Sequence, residues 1–159
     1  MRAVIQRVSG AQVDIDGRTV GACGRGYMIL LGVAQGDTRE DAELLAAKIV
    51  KLRVFEDEAG KMNRSLLDVG GEVLVISQFT LLADYRKGNR PDFFGAAKPT
   101  VATELYERFV SEAALAVPHV GHGEFGADMK VSLLNDGPVT IVLDTNELRP
   151  APKGAAATP

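Results

Sequence analysis

The chain has 159 residues, 46% hydrophobic and 25% charged: enough apolar material for one real core and too little length for two domains. A net charge of −3 argues against indiscriminate nucleic-acid binding, and a lone cysteine, Cys23, excludes an internal disulfide and a thiolate zinc set, which fits a reducing cytoplasm. No segment approaches the roughly 18 apolar residues of a membrane span, and residues 1–7 hold no apolar leader core, so a soluble cytoplasmic protein with no membrane partner is expected.

Read for period, residues 2–8, 11–15 and 27–34 predict strands, with Asp16-Gly17 as the hairpin turn before Arg18-Thr19-Val20. Gly21-Ala22-Cys23-Gly24-Arg25-Gly26 leads into the apolar strand Tyr27-Met28-Ile29-Leu30-Leu31, whereas a phosphate-cradling glycine loop should open a helix; it reads as a hairpin. Thr38-Arg39-Glu40-Asp41 has the form of a capping box, and Leu45, Ile49 and Leu52 recur at helical spacing, giving a helix over 38–52. Turns at Gly60 and Gly70-Gly71 precede a core strand over 73–79, followed by an irregular basic stretch over 84–98, too polar for core. A second helix starts near Pro99 and places Val101, Leu105 and Phe109 on one stripe, with Glu104, Glu107 and Arg108 off it. Pro118 closes that segment, strands over 128–135 and 139–144 complete a single domain over 1–148, and residues 149–159, rich in Pro and Ala, read as a disordered tail. Strands outnumber helices without regular βαβ alternation, which predicts α+β with a mostly antiparallel or mixed sheet and two main helices.

Ser77-Gln78-Phe79-Thr80-Leu81 stands at the end of the most apolar strand, where each buried, unpartnered polar group would cost about 1–3 kcal/mol. Such a run is a satisfied turn or a built site. Thr80 and Ser77 are the available hydroxyl nucleophiles, yet the sequence supplies no obvious base beside them. A hydrolytic site here would rest on main-chain N–H groups, oriented hydroxyls and the substrate itself. A second polar run, Asn135-Asp136-Gly137-Pro138-Val139-Thr140, follows an apolar strand, and a glycine before a proline lets another group approach a rigid main chain closely. Arg86, Lys87 and Arg90 form a compact basic loop near Thr80; Lys48, Lys51, Arg53, Lys61 and Arg64 make a looser group. His119 and His122 with Glu124 have the spacing of a weak metal pair, but no third His or Cys completes it, and no metal or cofactor is expected. No carboxylate pair stands in an apolar setting that would raise a pKa.

These residues carry a resemblance. Met1-Arg2-Ala3-Val4-Ile5-Gln6-Arg7-Val8, Leu52-Arg53-Val54-Phe55-Glu56-Asp57, Gly60-Lys61-Met62-Asn63, Ser77-Gln78-Phe79-Thr80-Leu81, Gly88-Asn89-Arg90-Pro91, Phe125-Gly126-Ala127 and Asn135-Asp136-Gly137-Pro138-Val139-Thr140, in that order, resemble the D-aminoacyl-tRNA deacylase family from residue 1 to about 145. The resemblance implies a proofreading esterase that frees a D-amino acid, or glycine, from tRNA. It implies a homodimer whose sites lie at the interface, with Ser77 to Leu81 of one copy facing Gly137-Pro138 of the other. In the family that Gly–Pro bond is cis, and its carbonyls reject an L side chain.

By the same resemblance, Gln78 and the Phe79 N–H contact the reacting ester, and Thr80, beside Ser77, is a catalytic or positioning group. Arg7 holds the Gly–Pro segment, and Met129 and Phe125 line the terminal-nucleotide pocket. The substrate's own 2′-hydroxyl is the other participant proposed for the family. Arg86, Lys87 and Arg90 stand where an acceptor end reaching Thr80 could be met, so tRNA is the expected partner and DNA is not. Cys23 and Tyr27-Met28 stand where the family more often has aliphatic residues, and His119 and His122 lie in a segment whose identity varies within it, so none takes a role. The rival readings are a non-catalytic nucleic-acid-binding module and a Ser or Thr hydrolase of small esters. The first predicts tRNA binding without D/L preference or turnover, the second a trapped acyl-enzyme.

Overall fold

Residues 1–150 are described by the structure, a computed structural model. β1 runs unbroken over Arg2–Ile15, where the sequence pattern predicts two strands. Its first half pairs antiparallel with β3 (Gly26–Gly32), Ile5 opposite Ile29, and its second half pairs with β2 (Arg18–Cys23) across the Asp16-Gly17 turn. β2 and β3 therefore succeed one another along β1, and the stretch from Gly21 to Gly26 is a corner instead of the hairpin expected.

α1 (Arg39–Lys51) begins where its capping box predicts: the Thr38 N–H donates to the Asp41 carboxylate at 2.8 Å, and Ala42, Leu45, Ala46 and Ile49 make its buried stripe. A small antiparallel pair, β4 (Phe55–Glu56) and β5 (Met62–Arg64), leads to β6 (Glu72–Ser77), which lies parallel to β3 with Val75 beside Ile29. The predicted core strand over 73–79 thus ends two residues early, and the chain turns into one 3₁₀ turn, Phe79–Leu82. α2 (Pro99–Ala116) starts at its proline, but its buried stripe is Ala102, Leu105, Tyr106, Phe109 and Ala113. Val101 lies at the margin of that face in the first turn and is 46% exposed, which corrects the predicted stripe.

β7 (Val120–His122) runs parallel to β6, so both crossovers through α1 and α2 join parallel strands in a sheet whose other pairings are antiparallel. The fold is α+β with a mixed sheet, as predicted, and carries a third, short helix, α3 (Thr145–Leu148), after β8 (Lys130–Asp144). β6 shows why its sequence is continuously apolar: Val73 and Val75 enter the large core under the helices, while Leu74 and Ile76 enter a smaller core with Val8, Val13, Cys23 and Met28. The sheet curls until β2 and β7 touch. A Cβ at Gly21 would stand 2.4 Å from the His122 carbonyl oxygen, and one at Gly121 would stand 2.6 Å from that of Ala22, so only glycine permits this near-closure.

β8 pairs along the other edge of β1, with Ile141 opposite Ile5 and Leu133 opposite Ala11. The predicted strands over 128–135 and 139–144 are therefore one strand on one partner. Between Gln6↔Thr140 and Val8↔Asn135 the register jumps, and residues 136–139 leave the ladder. Pro138 has no N–H to give a ladder, and Asn135 ties off the excursion by accepting from the Val139 N–H at 3.0 Å and donating to Thr140 Oγ1 at 3.1 Å. Arg149 reaches back to the Asp41 carboxylate, its Nε 3.0 Å from Oδ1; most of the tail expected over 149–159 lies outside the described residues. Among the described residues, no helix is long and apolar enough to cross a membrane.

Candidate functional site

The end of β6 builds the first site segment. The Gln78 N–H donates to the Leu31 carbonyl at 2.8 Å, extending the parallel ladder by one bond, and the 3₁₀ turn then closes with Leu81 N–H to Gln78 O at 3.3 Å and Ala83 N–H to Thr80 O at 3.2 Å. The opening N–H groups of a helical turn have no partner within it. Those of Phe79 and Thr80 meet no acceptor among the described residues, on a turn whose Phe79 and Thr80 are both exposed. The Gln78 side-chain amide donates to Thr80 Oγ1 and so fixes both groups. Arg2 anchors the turn from behind, donating to Leu81 O at 2.7 Å and to the Asp144 carboxylate at 3.2 Å.

Ser77 and Phe79 line a largely apolar cavity of about 500 Å³, with Phe93 and Phe94 from the loop, Ala102 from α2, and Phe125 opposite. The Phe79 and Phe93 rings meet edge to face, centroids 5.1 Å apart at 78°. Phe125 packs against Tyr106 at 6.4 Å, and Tyr106 is itself fixed by its hydroxyl donating 2.9 Å to Val75 O. Burial pushes the Tyr106 phenol up to about 12, so it remains a donor across the neutral range. An apolar slot with a few convergent polar groups at one end is the usual form of a small-molecule or nucleoside site.

The second segment stands elsewhere on the chain. Arg7 is 7% exposed and lies opposite residues 136–139, its Nε donating to Asp136 O at 3.0 Å and its Nη1 to Val54 O at 2.7 Å. Its guanidinium also lies 6.0 Å from the Phe55 ring centroid. Gly137 has φ +138 and the Gly137–Pro138 bond is cis. Gly137 and Pro138 are exposed, and neither lines the cavity beside Ser77. The structure thus brings Ser77, Gln78, Phe79, Thr80 and Phe125 together, brings Arg7 to Gly137-Pro138, and leaves the two groups apart within one chain. Met129 packs on the smaller core, against Ile76 and its neighbours, without lining the cavity.

The basic loop is tied at its base by paired main-chain bonds, Asp84 N–H to Asp92 O at 2.8 Å and Asp92 N–H to Asp84 O at 2.9 Å. Arg86 folds back onto Asp84, whose carboxyl its hydrogen bonds hold down at about 2. Lys87 and Arg90 have no carboxylate partner among the described residues. The chemistry available at Thr80 is that of neutral groups. His119 bonds Ala22 O at 2.7 Å and His122 bonds Gly123 O at 2.8 Å, so neither imidazole serves Ser77 or Thr80. Burial pushes the Cys23 thiol up to about 11, far from thiolate chemistry at neutral pH. Among the described residues no three His, Cys, Asp or Glu side chains converge as a metal set. Sequence reasoning missed Phe93, Phe94 and Arg2; the signal for the first two was an adjacent aromatic pair inside an otherwise polar loop.

Residues 4–144 match the family model described as D-Tyr-tRNA(Tyr) deacylase. A D-aminoacyl-tRNA deacylase of Roseiflexus castenholzii (strain DSM 13941 / HLO8) is 59% identical over 145 residues, covering 91% of this chain and 92% of that protein. That of Thermus aquaticus is 58% identical over 147 residues, covering 92% of this chain and 97% of that protein. A solved structure described as the c-Myc DNA Unwinding Element Binding Protein superposes with a TM-score of 0.86 at 43% identity, over 91% of this chain and 98% of that one. A probable eukaryotic D-amino acid tRNA deacylase superposes at 0.76 over 89% of this chain and 97% of that one; at 17% identity it supports the fold alone.

Proposed function

Because the chain belongs to the D-Tyr-tRNA(Tyr) deacylase family, we infer that the Ser77 to Leu81 turn is the place where it hydrolyses the ester of a D-aminoacyl-tRNA. The observation that carries this placement is a turn whose two main-chain N–H groups meet no acceptor among the described residues, at the mouth of an aromatic-lined cavity, with no charged base among the described residues beside its hydroxyls. The terminal adenosine enters between Phe93 and Phe125, which leaves its ribose ester at Gln78 and Thr80.

The Phe79 and Thr80 N–H groups receive the oxyanion as the ester carbonyl becomes tetrahedral, a form of stabilisation in which one donor is worth about 10²–10³ in rate. Thr80 positions the ester end through its contact with Gln78, since a threonine nucleophile needs a base in hydrogen-bond reach and the described residues of the chain bring none there. Water attacks the carbonyl carbon, the bond to the ribose oxygen breaks, and the departing oxygen takes a proton with the ribose 2′-hydroxyl assisting. The products are free amino acid and tRNA.

Gly137 and Pro138 act in the site of a second copy. They stand exposed and away from the cavity of their own chain, held from behind by Arg7, and a homodimer that exchanges this segment completes each site. Rejecting L while accepting any D side chain requires contacts at the α-carbon instead of a shaped side-chain pocket, and rigid main chain can supply them. Glycine, which has no side chain to reject, is accepted from tRNA as well. The site uses no cofactor.

The test is hydrolysis of D-tyrosyl-tRNA and L-tyrosyl-tRNA by the purified protein, with and without chelator, beside D-tyrosyl-tRNA ending in 2′-deoxyadenosine. Fast loss of the D ester alone, slowed in the 2′-deoxy substrate, is the expected result. Equal rates for D and L would overturn the chiral filter, and a trapped acyl-enzyme on Thr80 would overturn the positioning role.

A further inference from the structure

A second cleft, of about 670 Å³, opens beside the aromatic cavity and shares Phe94 with it. Its walls include Arg2, Leu82, Tyr85, Arg86 and Asp92. We propose that this cleft holds the penultimate nucleotide of the substrate, the cytidine that precedes the terminal adenosine in every tRNA, so that the enzyme reads two nucleotides and not one. The inference rests on the reading of the neighbouring cavity as the terminal-nucleoside site.

The rings are the first argument. Phe94 is 82% exposed and Tyr85 72% exposed, large apolar surfaces that contribute nothing to the core. Their main chain is nevertheless fixed. Phe94 N–H donates to Asp92 Oδ1 at 3.2 Å, Phe94 O accepts from the Gln35 side chain, and Gln35 N–H donates to Gly95 O at 2.9 Å. Tyr85 follows directly on the doubly bonded Asp84–Asp92 bridge. Aromatic rings exposed on a pinned backbone are what an unstacked single-stranded base uses as a platform.

Polarity is the second. The first cavity is largely apolar and suits a buried adenine, whereas this cleft mixes rings with charges, as a base with its sugar and phosphate requires. Asp84 and Arg86 form an ion pair on its wall, and the Arg86 side chain is 84% exposed, which leaves guanidinium donors open to the phosphate that links the two nucleotides. Lys87 and Arg90 follow on the same loop, both exposed, and are available to the phosphates beyond it.

Asp92 supplies the third. Its Oδ1 accepts the Phe94 N–H, and its Oδ2 has no hydrogen-bond partner among the described residues. A carboxylate oxygen accepts from the N4 amino group of cytosine; a uracil presents its O4 acceptor at the same place and is repelled. Cytidine is thus the base that this cleft favours.

Two substrates and two variants test the proposal. The kcat/KM on D-tyrosyl-tRNA is divided by that on D-tyrosyl-adenosine, which lacks the penultimate nucleotide and reports on folding and chemistry alone. Tyr85→Ala should lower this ratio by at least about fivefold, the lower end for loss of one base–aromatic stack. Asp92→Asn, which keeps an acceptor for the Phe94 N–H and offers a donor in place of Oδ2, should shift preference toward D-tyrosyl-tRNA carrying uridine at the penultimate position. If the wild-type protein hydrolyses both esters but neither ratio nor base preference moves, the proposal is overturned while the reading of the first cavity stands. If the wild-type protein hydrolyses neither, that reading falls and takes the proposal with it.

Discussion

Replacing Arg7 by methionine isolates what its guanidinium does, because methionine keeps the apolar stem. Two hydrogen bonds are lost, to Val54 O at 2.7 Å and to Asp136 O at 3.0 Å. Their costs differ. Val54 is 7% exposed, so its carbonyl is left without water and costs about 1–3 kcal/mol, while the exposed Asp136 can be rehydrated at little cost. The contact with the Phe55 ring adds about 0.5–1 kcal/mol, and the ion pair with the half-exposed Asp136 carboxylate at 3.9 Å adds little. The sum is about 1.5–4 kcal/mol. With a urea slope of about 2 kcal/mol/M, the unfolding midpoint should fall by about 1–2 M at fixed protein concentration.

Activity should respond differently from stability. Arg7→Lys brings one ammonium that can serve one carbonyl, so it should recover part of the stability while leaving the 136–139 segment less fixed. Deacylation of D-tyrosyl-tRNA, measured at a temperature where both variants are folded, should fall in both. An Arg7→Met unfolding free energy within about 0.5 kcal/mol of the wild type would refute the claim that Arg7 satisfies a buried carbonyl; normal deacylation in both would refute its role behind Gly137-Pro138.

Burial alone would push the Asp41 carboxyl up, but hydrogen bonds from Arg149 and from Thr38 outweigh it and hold it below its ordinary value. That depressed folded value contributes stability above an unfolded pKa of about 3.9 that is lost as pH falls through the folded one, so Arg149→Ala should flatten the acid limb of a melting-temperature profile. Lys87→Glu and Arg90→Glu should each weaken tRNA binding and lower its salt slope by about 0.7 to 0.9 per lost phosphate contact; Arg86→Glu should do the same and also leave the Asp84 carboxylate unpaired beside a second one, both repelling the incoming phosphates. Equal slopes in all variants would remove the loop from the interface. Gly121→Ala places a Cβ against the Ala22 carbonyl oxygen and should destabilise by about 1–3 kcal/mol in chemical denaturation, whereas an unchanged midpoint would mean that β2 and β7 are not in contact in solution.

The sequence by itself determined the local structure. The Thr38 to Asp41 box starts α1, Pro99 starts α2, and the Asp16-Gly17 turn joins β1 to β2, because capping, proline geometry and turn chemistry act over a few residues. It also marked the polar run at the end of the most apolar strand, and the ordered motifs carried the family. Tertiary structure decided the partners. β2 and β3 share the same edge of β1, β6 and β7 run parallel, and β8 is one strand with an excursion, because strand pairing is settled by contacts far apart in sequence that no local pattern encodes. The same holds for the site: Phe93 and Phe94 belong to a loop that reads as polar, and become cavity wall only when the fold brings that loop, closed by the Asp84–Asp92 bridge, to the cavity that Phe79 and Phe125 also line. Arg7, an ordinary charge in an alternating strand, becomes buried where β8 leaves the sheet, since only the fold supplies the carbonyls that make its burial tolerable.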